Sequence, residues 1–273
     1  MVIKNDVSAV NSARMLQMTN KAQSKTMEKL SSGYKINKSA DDASGLAISE
    51  KLMKQINSLN KAIDNASDGM AMTDTADGAM NEVGDMLQRL NDLAIQGSNG
   101  TLSESDRADV QAEADQILSD INRVGGSTKF NELYLMNGEA SDIQAGADNS
   151  GSNRVTVKLE EMNADTLGLG SVDFSTAESS RASLGSISDA VKMLADQRSG
   201  LGAGYNRMSS TTRNLANVSE NTTAAQSSVK DTDMASELIK QRRNKVQAQA
   251  NMALMRRNQE ERNAQAGTIN SLV

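Results

Sequence analysis

Proline, cysteine, histidine and tryptophan are all absent from the 273-residue chain. At ordinary usage of about 5% proline, a chain of this length would carry roughly a dozen. Without proline, no helix is forced to kink at a missing N–H. Without cysteine there are no disulfides and no thiolate metal sites. Without histidine as well, most zinc and copper sites and most nucleophile–base pairs are excluded. Only Tyr34, Phe130, Tyr134, Phe174 and Tyr205 are aromatic, fewer than a compact enzyme usually needs to anchor its core and pocket. The composition points to an extended, helix-rich protein with no catalytic residue, no metal and no cofactor.

Charge is uneven. Residues 1–38 carry seven Lys/Arg against Asp6 and Glu28, and residues 240–273 carry seven against Glu260 and Glu261. The chain as a whole is at −6, so the excess of acid lies between the two basic ends. The basic residues are not interleaved with aromatics, so nucleic-acid binding is not expected. No stretch is long and apolar enough for a membrane span. The first twenty residues, MVIKNDVSAVNSARMLQMTN, lack the apolar core of a cleaved secretory signal. The expectation is a cytosolic protein, or one exported by a route that reads no such signal.

Heptad spacing is the strongest positive signal. From Leu52, apolar residues recur at Ile56, Leu59, Ile63, Ala66 and Met70, then shift slightly to Ala76, Met80, Val83, Leu87, Leu90 and Ala94. This coiled-coil pattern predicts one helix over 46–98, roughly 80 Å long. Ser103 to Asp106 reads as a capping box opening a second helix, with the stripe Val110, Ala114, Ile117, Ile121 and Val124, ended by Gly125-Gly126. Residues 138–174 are Gly/Ser/Asp-rich, with one alternating run, Arg154 to Leu159. That run predicts a strand, with Ile143–Ala147 as hairpin partner and a turn at Asp148–Gly151.

Helix then resumes. Ser175 to Glu178 reads as a second capping box, followed by Leu184, Ile187, Val191, Leu194, Leu201, Tyr205, Met208, Leu215 and Val218. Gly200, Gly202 and Gly204 weaken that helix locally or admit a close neighbour. They make a poor phosphate loop, since no strand precedes them. Val7, Val10, Leu16 and Met27 at the front, and Leu238, Ile239, Val246, Ala250 and Leu254 at the back, mark two further amphipathic helices. Such short helices are marginal alone and need each other or a partner.

The segment Leu30-Ser-Ser-Gly-Tyr-Lys-Ile-Asn-Lys-Ser-Ala-Asp-Asp-Ala-Ser-Gly-Leu-Ala-Ile48 resembles the N-terminal signature of bacterial flagellin. Asp68–Met72, Ala76–Met80, Gln88–Gln96, Gln111–Glu113, Asn122–Asn131, Arg198–Ala203 with Asn206-Arg207, and Val229–Ala235 match its further blocks in order. The resemblance implies a mainly α fold: a long antiparallel coiled-coil rod with a small β-hairpin, plus paired N- and C-terminal helices. It implies a discontinuous filament-core domain from residues 1–38 and 232–273. It implies too that residues 39–231 form the rod, with the hairpin region at about 139–174, a short form without large outer domains. One departure is C-terminal, where the family's bland link is replaced by the charged block Arg256–Arg262.

The resemblance implies a secreted structural subunit that self-assembles into a helical homopolymer, the extracellular flagellar filament of motile bacteria. The partners implied are a flagellar export chaperone at the C-terminus, hook-associated and cap proteins, and the host innate immune receptor Toll-like receptor 5. Gln88, Arg89, Leu93, Gln96 and Glu113 are implied as the receptor or subunit contact. A hook–filament junction protein is the alternative, although its Asp-Asp block is usually followed by proline. A soluble coiled-coil scaffold is another, but would carry heptads without the Leu30–Ile48 signature. Asp41-Asp42 is read as helix-start chemistry, with Ser39 as cap, rather than a catalytic pair. Asp231 and Asp233 are read as a turn or cap between helices. The 16 methionines fall largely on the stripes, as packing residues rather than an adaptable binding surface.

Overall fold

The computed structural model describes residues 7–270, which are mainly helical. In chain order they form α1 (Val7–Ser32), α2 (Ala43–Gly97), α3 (Glu104–Ser127), β1 (Lys129–Phe130), β2 (Leu133–Tyr134), β3 (Ala140–Gln144), β4 (Arg154–Lys158), α4 (Ala177–Lys230) and α5 (Met234–Asn270). Two compact units result, one from the residues up to Lys54 with those from Asn221, the other Gln55–Glu220. The division falls inside α2 and α4 rather than at the expected 38/39 and 231/232 boundaries.

The Gln55–Glu220 unit is built on the heptads. Ala76, Met80, Val83, Leu87, Leu90 and Ala94 of α2 are fully buried, in one cluster with Val110, Ala114 and Ile121 of α3 and Ile187, Leu194, Leu201 and Met208 of α4. Each large aliphatic side chain so buried contributes about 1.5–3 kcal/mol. Ser103 and Asp106 form the reciprocal capping box that opens α3. β3 and β4 pair antiparallel with Ile143 opposite Val155, and Val155, Val157 and Leu159 turn into the core. Side-chain acceptors on α3 hold the segment that follows: the Ala164 N–H donates to Asn122 Oδ1 (2.8 Å) and the Phe174 N–H to Gln111 Oε1 (2.6 Å).

Several expectations are corrected. The β4 partner runs from Ala140 to Gln144, not Ile143 to Ala147. A second hairpin, β1–β2, turns on Asn131 and Glu132, both at positive φ; two-residue strands are too short to alternate visibly. The cap of α4 is Thr176 with Ser179, whose backbone N–H groups donate reciprocally to the two hydroxyls, because Ser175 is engaged by Asp173. Val191 and Val218 are exposed, and Ser180, Ser183, Ala190 and Ser219 take the seam instead. Serine is tolerated there because its hydroxyl is satisfied locally: Ser183 Oγ accepts from the Asp173 N–H and donates to the Asp173 carbonyl. The three glycines at 200–204 do not interrupt α4.

α3 does not stop at Gly125-Gly126 but continues to Ser127. A Cβ at Gly125 would run into the Met162 carbonyl oxygen, whereas one at Gly126 meets open space. Gly125 is therefore a close-approach residue. Gly125→Ala is expected to lower stability by about 1–3 kcal/mol through overpacking. Gly126→Ala should raise it by about 0.5–1 kcal/mol through helix propensity. Thermal melting of the two variants side by side checks this; equal effects would contradict it.

In the terminal unit α1 and α5 pack together. Tyr34 and Asp231 form a β-bridge at their base, flanked by N–H donation from Lys35 to the Lys230 carbonyl (2.8 Å) and from Thr232 to the Gly33 carbonyl (2.9 Å). Gly33, at φ +77°, makes the turn that α1 needs to leave its helix. Asp42, not Ser39, caps α2, accepting the Gly45 N–H at 2.9 Å. Asp233 caps α5 through the Ala235 and Ser236 N–H groups.

Asp41 closes the loop between α1 and α2. Its carboxylate pairs with Lys25 Nζ at 2.9 Å and accepts the N–H groups of Asn37 and Lys38. The Lys25 hydrogen bond is the largest cause, and the backbone donors add to it, lowering the pKa to about 2. A lowered carboxylate pKa means that these bonds are intact above the ordinary value near 4 and are lost as pH falls toward 2. An NMR titration should place the Asp41 midpoint near 2. Lys25→Ala should move it upward, and an unmoved midpoint would contradict the assignment.

Candidate assembly and recognition surfaces

Two surfaces stand out. On α1, Val7, Val10, Met15, Met18 and Met27 are exposed, Val7 at 79% and Val10 at 67%. On α5, Leu238, Ile239, Val246, Met252 and Leu254 are exposed, Ile239 at 68% and Val246 at 64%. The expected apolar stripes are therefore not what joins the two helices, apart from the half-buried Leu16 and from Met27, whose Sδ accepts from Gln241 Nε2 of α5 at 3.2 Å. The seam holds Thr19 and Thr26 from α1 and Glu237, Asn244 and Ala248 from α5. At about 100° per residue, Ile239 and Val246 stand roughly 140° and 160° round the helix from Asn244.

The second surface lies on α2 and α3. Arg89 pairs with Glu113 across 24 residues of sequence, Nε to Oε1 at 2.7 Å and Nη2 to Oε1 at 2.5 Å, with both side chains about half exposed. Gln88 and Gln96 are exposed on the same stretch of α2. Leu93 is not: at 1% exposure it belongs to the core, which corrects its expected place in the contact. α2 is covered over a wide arc here, burying Leu87, Leu90, Leu93 and Ala94 together. Ile95, 57% exposed, is the apolar residue that this surface does offer. Its signal in sequence is that it falls outside both heptad registers.

Sequence reasoning also missed Arg107. It is buried, and its guanidinium donates to the Gly97 and Asn99 carbonyls, satisfying the C-terminal end of α2 and fixing the turn into α3. The signal was there: Arg107 lies three residues before Val110, on the apolar stripe of α3. Among the described residues, no group of acidic side chains has the arrangement of a metal site, and no helix is long and apolar enough to cross a membrane.

A mainly α chain whose salient features are surfaces for other proteins is, by class, an assembling structural subunit. Residues 3–141 match the bacterial flagellin N-terminal helical region and residues 184–264 the bacterial flagellin C-terminal helical region. The flagellar filament 31.3 kDa core protein of Treponema maltophilum is 36% identical over 271 residues, covering 93% of this chain and 95% of that protein. A flagellin of Halalkalibacterium halodurans is 36% identical over 257 residues, covering 93% and 94%. The structure of a putative flagellar hook-associated protein from Vibrio parahaemolyticus shares the fold, with a TM-score of 0.60 over 70% of this chain and all of that one, at 13% identity. The chain belongs to the bacterial flagellin family. It is a structural subunit of the flagellar filament, an extracellular assembly, and not an enzyme; the junction-protein and scaffold alternatives are not favoured by these relatives.

Arg89 and Glu113 sit off the buried stripes, so their removal tests the surface without disturbing the core. Arg89→Ala and Glu113→Ala should each change melting by less than about 0.5 kcal/mol. If the face is an interface anchor, each should weaken a protein contact by about 2 kcal/mol. Filament sedimentation and receptor activation, measured beside melting, are the checks. Wild-type behaviour in both binding assays removes these residues from any functional surface.

Proposed function

We propose that polymerisation runs through the α1/α5 pair and that neighbouring subunits cover its outward apolar residues. The observation that carries this reading is the arrangement of the two helices. Each exposes several apolar side chains, Val7, Val10 and Met18 on α1 and Ile239 and Val246 on α5, while asparagine–hydroxyl pairs run along their mutual seam. Contacts between non-identical patches on successive copies build a filament when their rotation does not close a ring. The C-terminal segment of α5 is proposed to bind an export chaperone before assembly, and the finished ends of the polymer to meet hook-associated and cap proteins.

The α2/α3 surface is proposed as the second contact, used between subunits and by Toll-like receptor 5. Gln88, Arg89, Gln96 and Glu113 carry it, supported by their exposure and by the flagellin blocks in which they lie. Ile95, one heptad from Gln88, adds an exposed apolar side chain beside that residue.

Deleting residues from 235 onward tests the polymerisation reading. The core of the Gln55–Glu220 unit lies entirely before the cut, so it should stay folded with its cooperative melting intact. The truncated chain should remain in the supernatant after salting-out that sediments the full chain as filaments. Filaments formed by the truncated chain would overturn the reading.

A further inference from the structure

Asn-Gly occurs twice in the chain, at Asn99-Gly100 and Asn137-Gly138, and Asp-Gly twice, at Asp68-Gly69 and Asp77-Gly78. At such pairs a chain can attack its own side chain, because glycine has no Cβ to keep its nitrogen from the preceding Cγ. Both Asp-Gly pairs lie inside α2, where the helix commits the glycine N–H. Both Asn-Gly pairs lie in exposed turns, and among the described residues neither Gly100 nor Gly138 donates its N–H. In each, the N–H of the next residue, Thr101 or Glu139, donates to the asparagine Oδ1 at 3.2 Å. That bond folds the amide back over the glycine peptide and polarises its carbonyl. Asn99 differs from Asn137 in its main-chain carbonyl, which accepts from Arg107 Nη2 (2.8 Å) and from the Leu102 N–H (3.5 Å). Arg107 is buried, and Arg181 of α4 reaches the neighbouring Ser98 carbonyl at 3.5 Å.

We propose that Asn99 is a self-modification site, which deamidates through a succinimide with Gly100 and which Arg107 directs to isoaspartate. The Gly100 nitrogen loses its proton to hydroxide and bonds to Asn99 Cγ. The Cγ–Nδ2 bond breaks, and ammonia leaves with a proton from water. Water then opens the ring at one of its two carbonyls. Attack at the former main-chain carbon breaks its bond to the Gly100 nitrogen, releases that carbon as a carboxylate and leaves the chain running through Cγ. This is the carbonyl whose oxygen Arg107 holds. The guanidinium stabilises the negative oxygen formed as water adds, and then pairs with the carboxylate. Attack at Cγ gives ordinary aspartate and leaves Arg107 on a neutral carbonyl. Isoaspartate lengthens the main chain by one carbon in the turn between α2 and α3. It also adds a negative charge close to the exposed Gln96, whose carbonyl takes the Asn99 N–H at 3.1 Å. Loss of ammonia makes the change one-way, so it accumulates with the age of the subunit.

The test holds the full-length chain at mildly alkaline pH, either folded or unfolded in guanidinium. After digestion, chromatography and mass spectrometry separate the asparagine, aspartate and isoaspartate forms of the Asn99 and Asn137 peptides. Asn99 should convert in the folded chain. Gly100→Ala, whose added Cβ meets open space, should slow that conversion at least about tenfold while the variant melts as the native chain does. The ratio of isoaspartate to aspartate at Asn99 should be at least about threefold higher folded than unfolded, and at Asn137 the same in both. Arg107→Gln should bring the folded ratio at Asn99 down to the unfolded value. If that variant does not fold, the comparison within the native chain decides alone. An Asn99 that keeps its amide in the folded chain while the unfolded chain converts would overturn the site. Equal ratios folded and unfolded, or a raised ratio that survives in folded Arg107→Gln, would overturn the role of Arg107.

Discussion

Polar pairing inside the α1/α5 seam constrains the whole terminal unit. A helix has a limited circumference, and a residue committed to the seam is not available outside it. By placing Asn244 and Asn251 opposite Thr26 and Thr19, the sequence spends its inward positions on hydrogen bonds. Val7, Val10, Met18, Ile239 and Val246 are thereby left outward. Such a pair is weakly held, because an exchange of water bonds for internal ones nets only about 1 kcal/mol each. Its stability must come largely from whatever later covers the apolar faces, which suits an element that completes its packing on assembly.

The Gln55–Glu220 unit follows the opposite rule. Its inward positions are apolar along α2, α3 and α4, and its β3–β4 hairpin delivers Val155 and Val157 to the same core. Ser183 enters that interior with a nearby partner to satisfy it, and Arg107 enters it to satisfy the end of α2. This unit is complete in itself, and its surface chemistry is then free to serve recognition. The Arg89–Glu113 pair illustrates this, being half exposed and off the stripe.

Much of this was legible from residue spacing alone. The α2 heptad from Ala76 to Ala94 is buried at every expected position, and the capping box at Ser103 is made as written. Part of what was not legible shares one cause: burial by hydrogen bonding rather than by hydropathy. An apolar-stripe reading chose Ile239 and Val246 over Asn244, and passed over Ser183 and Arg107. Leu93 failed for a related reason. Spacing gives one seam per helix, whereas α2 is covered by more than one neighbour, so a residue beside the seam is also buried. Gly125 looked like a stop because glycine is common past helix ends, and the Met162 carbonyl that requires it is distant in sequence.

The account rests on the outward faces of α1 and α5 becoming buried between subunits, and the chain carries its own probes for that. Met15, Met18 and Met252 are exposed on those helices, and Met193 is similarly exposed on α4 in the other unit. Peroxide oxidation of each methionine, followed by mass spectrometry on monomer and on sedimented filament, reads their coverage directly. The account predicts that oxidation of these three terminal methionines slows at least about tenfold in the filament, since a buried thioether is reached only through local opening. Terminal methionines that oxidise equally fast in monomer and filament would contradict it.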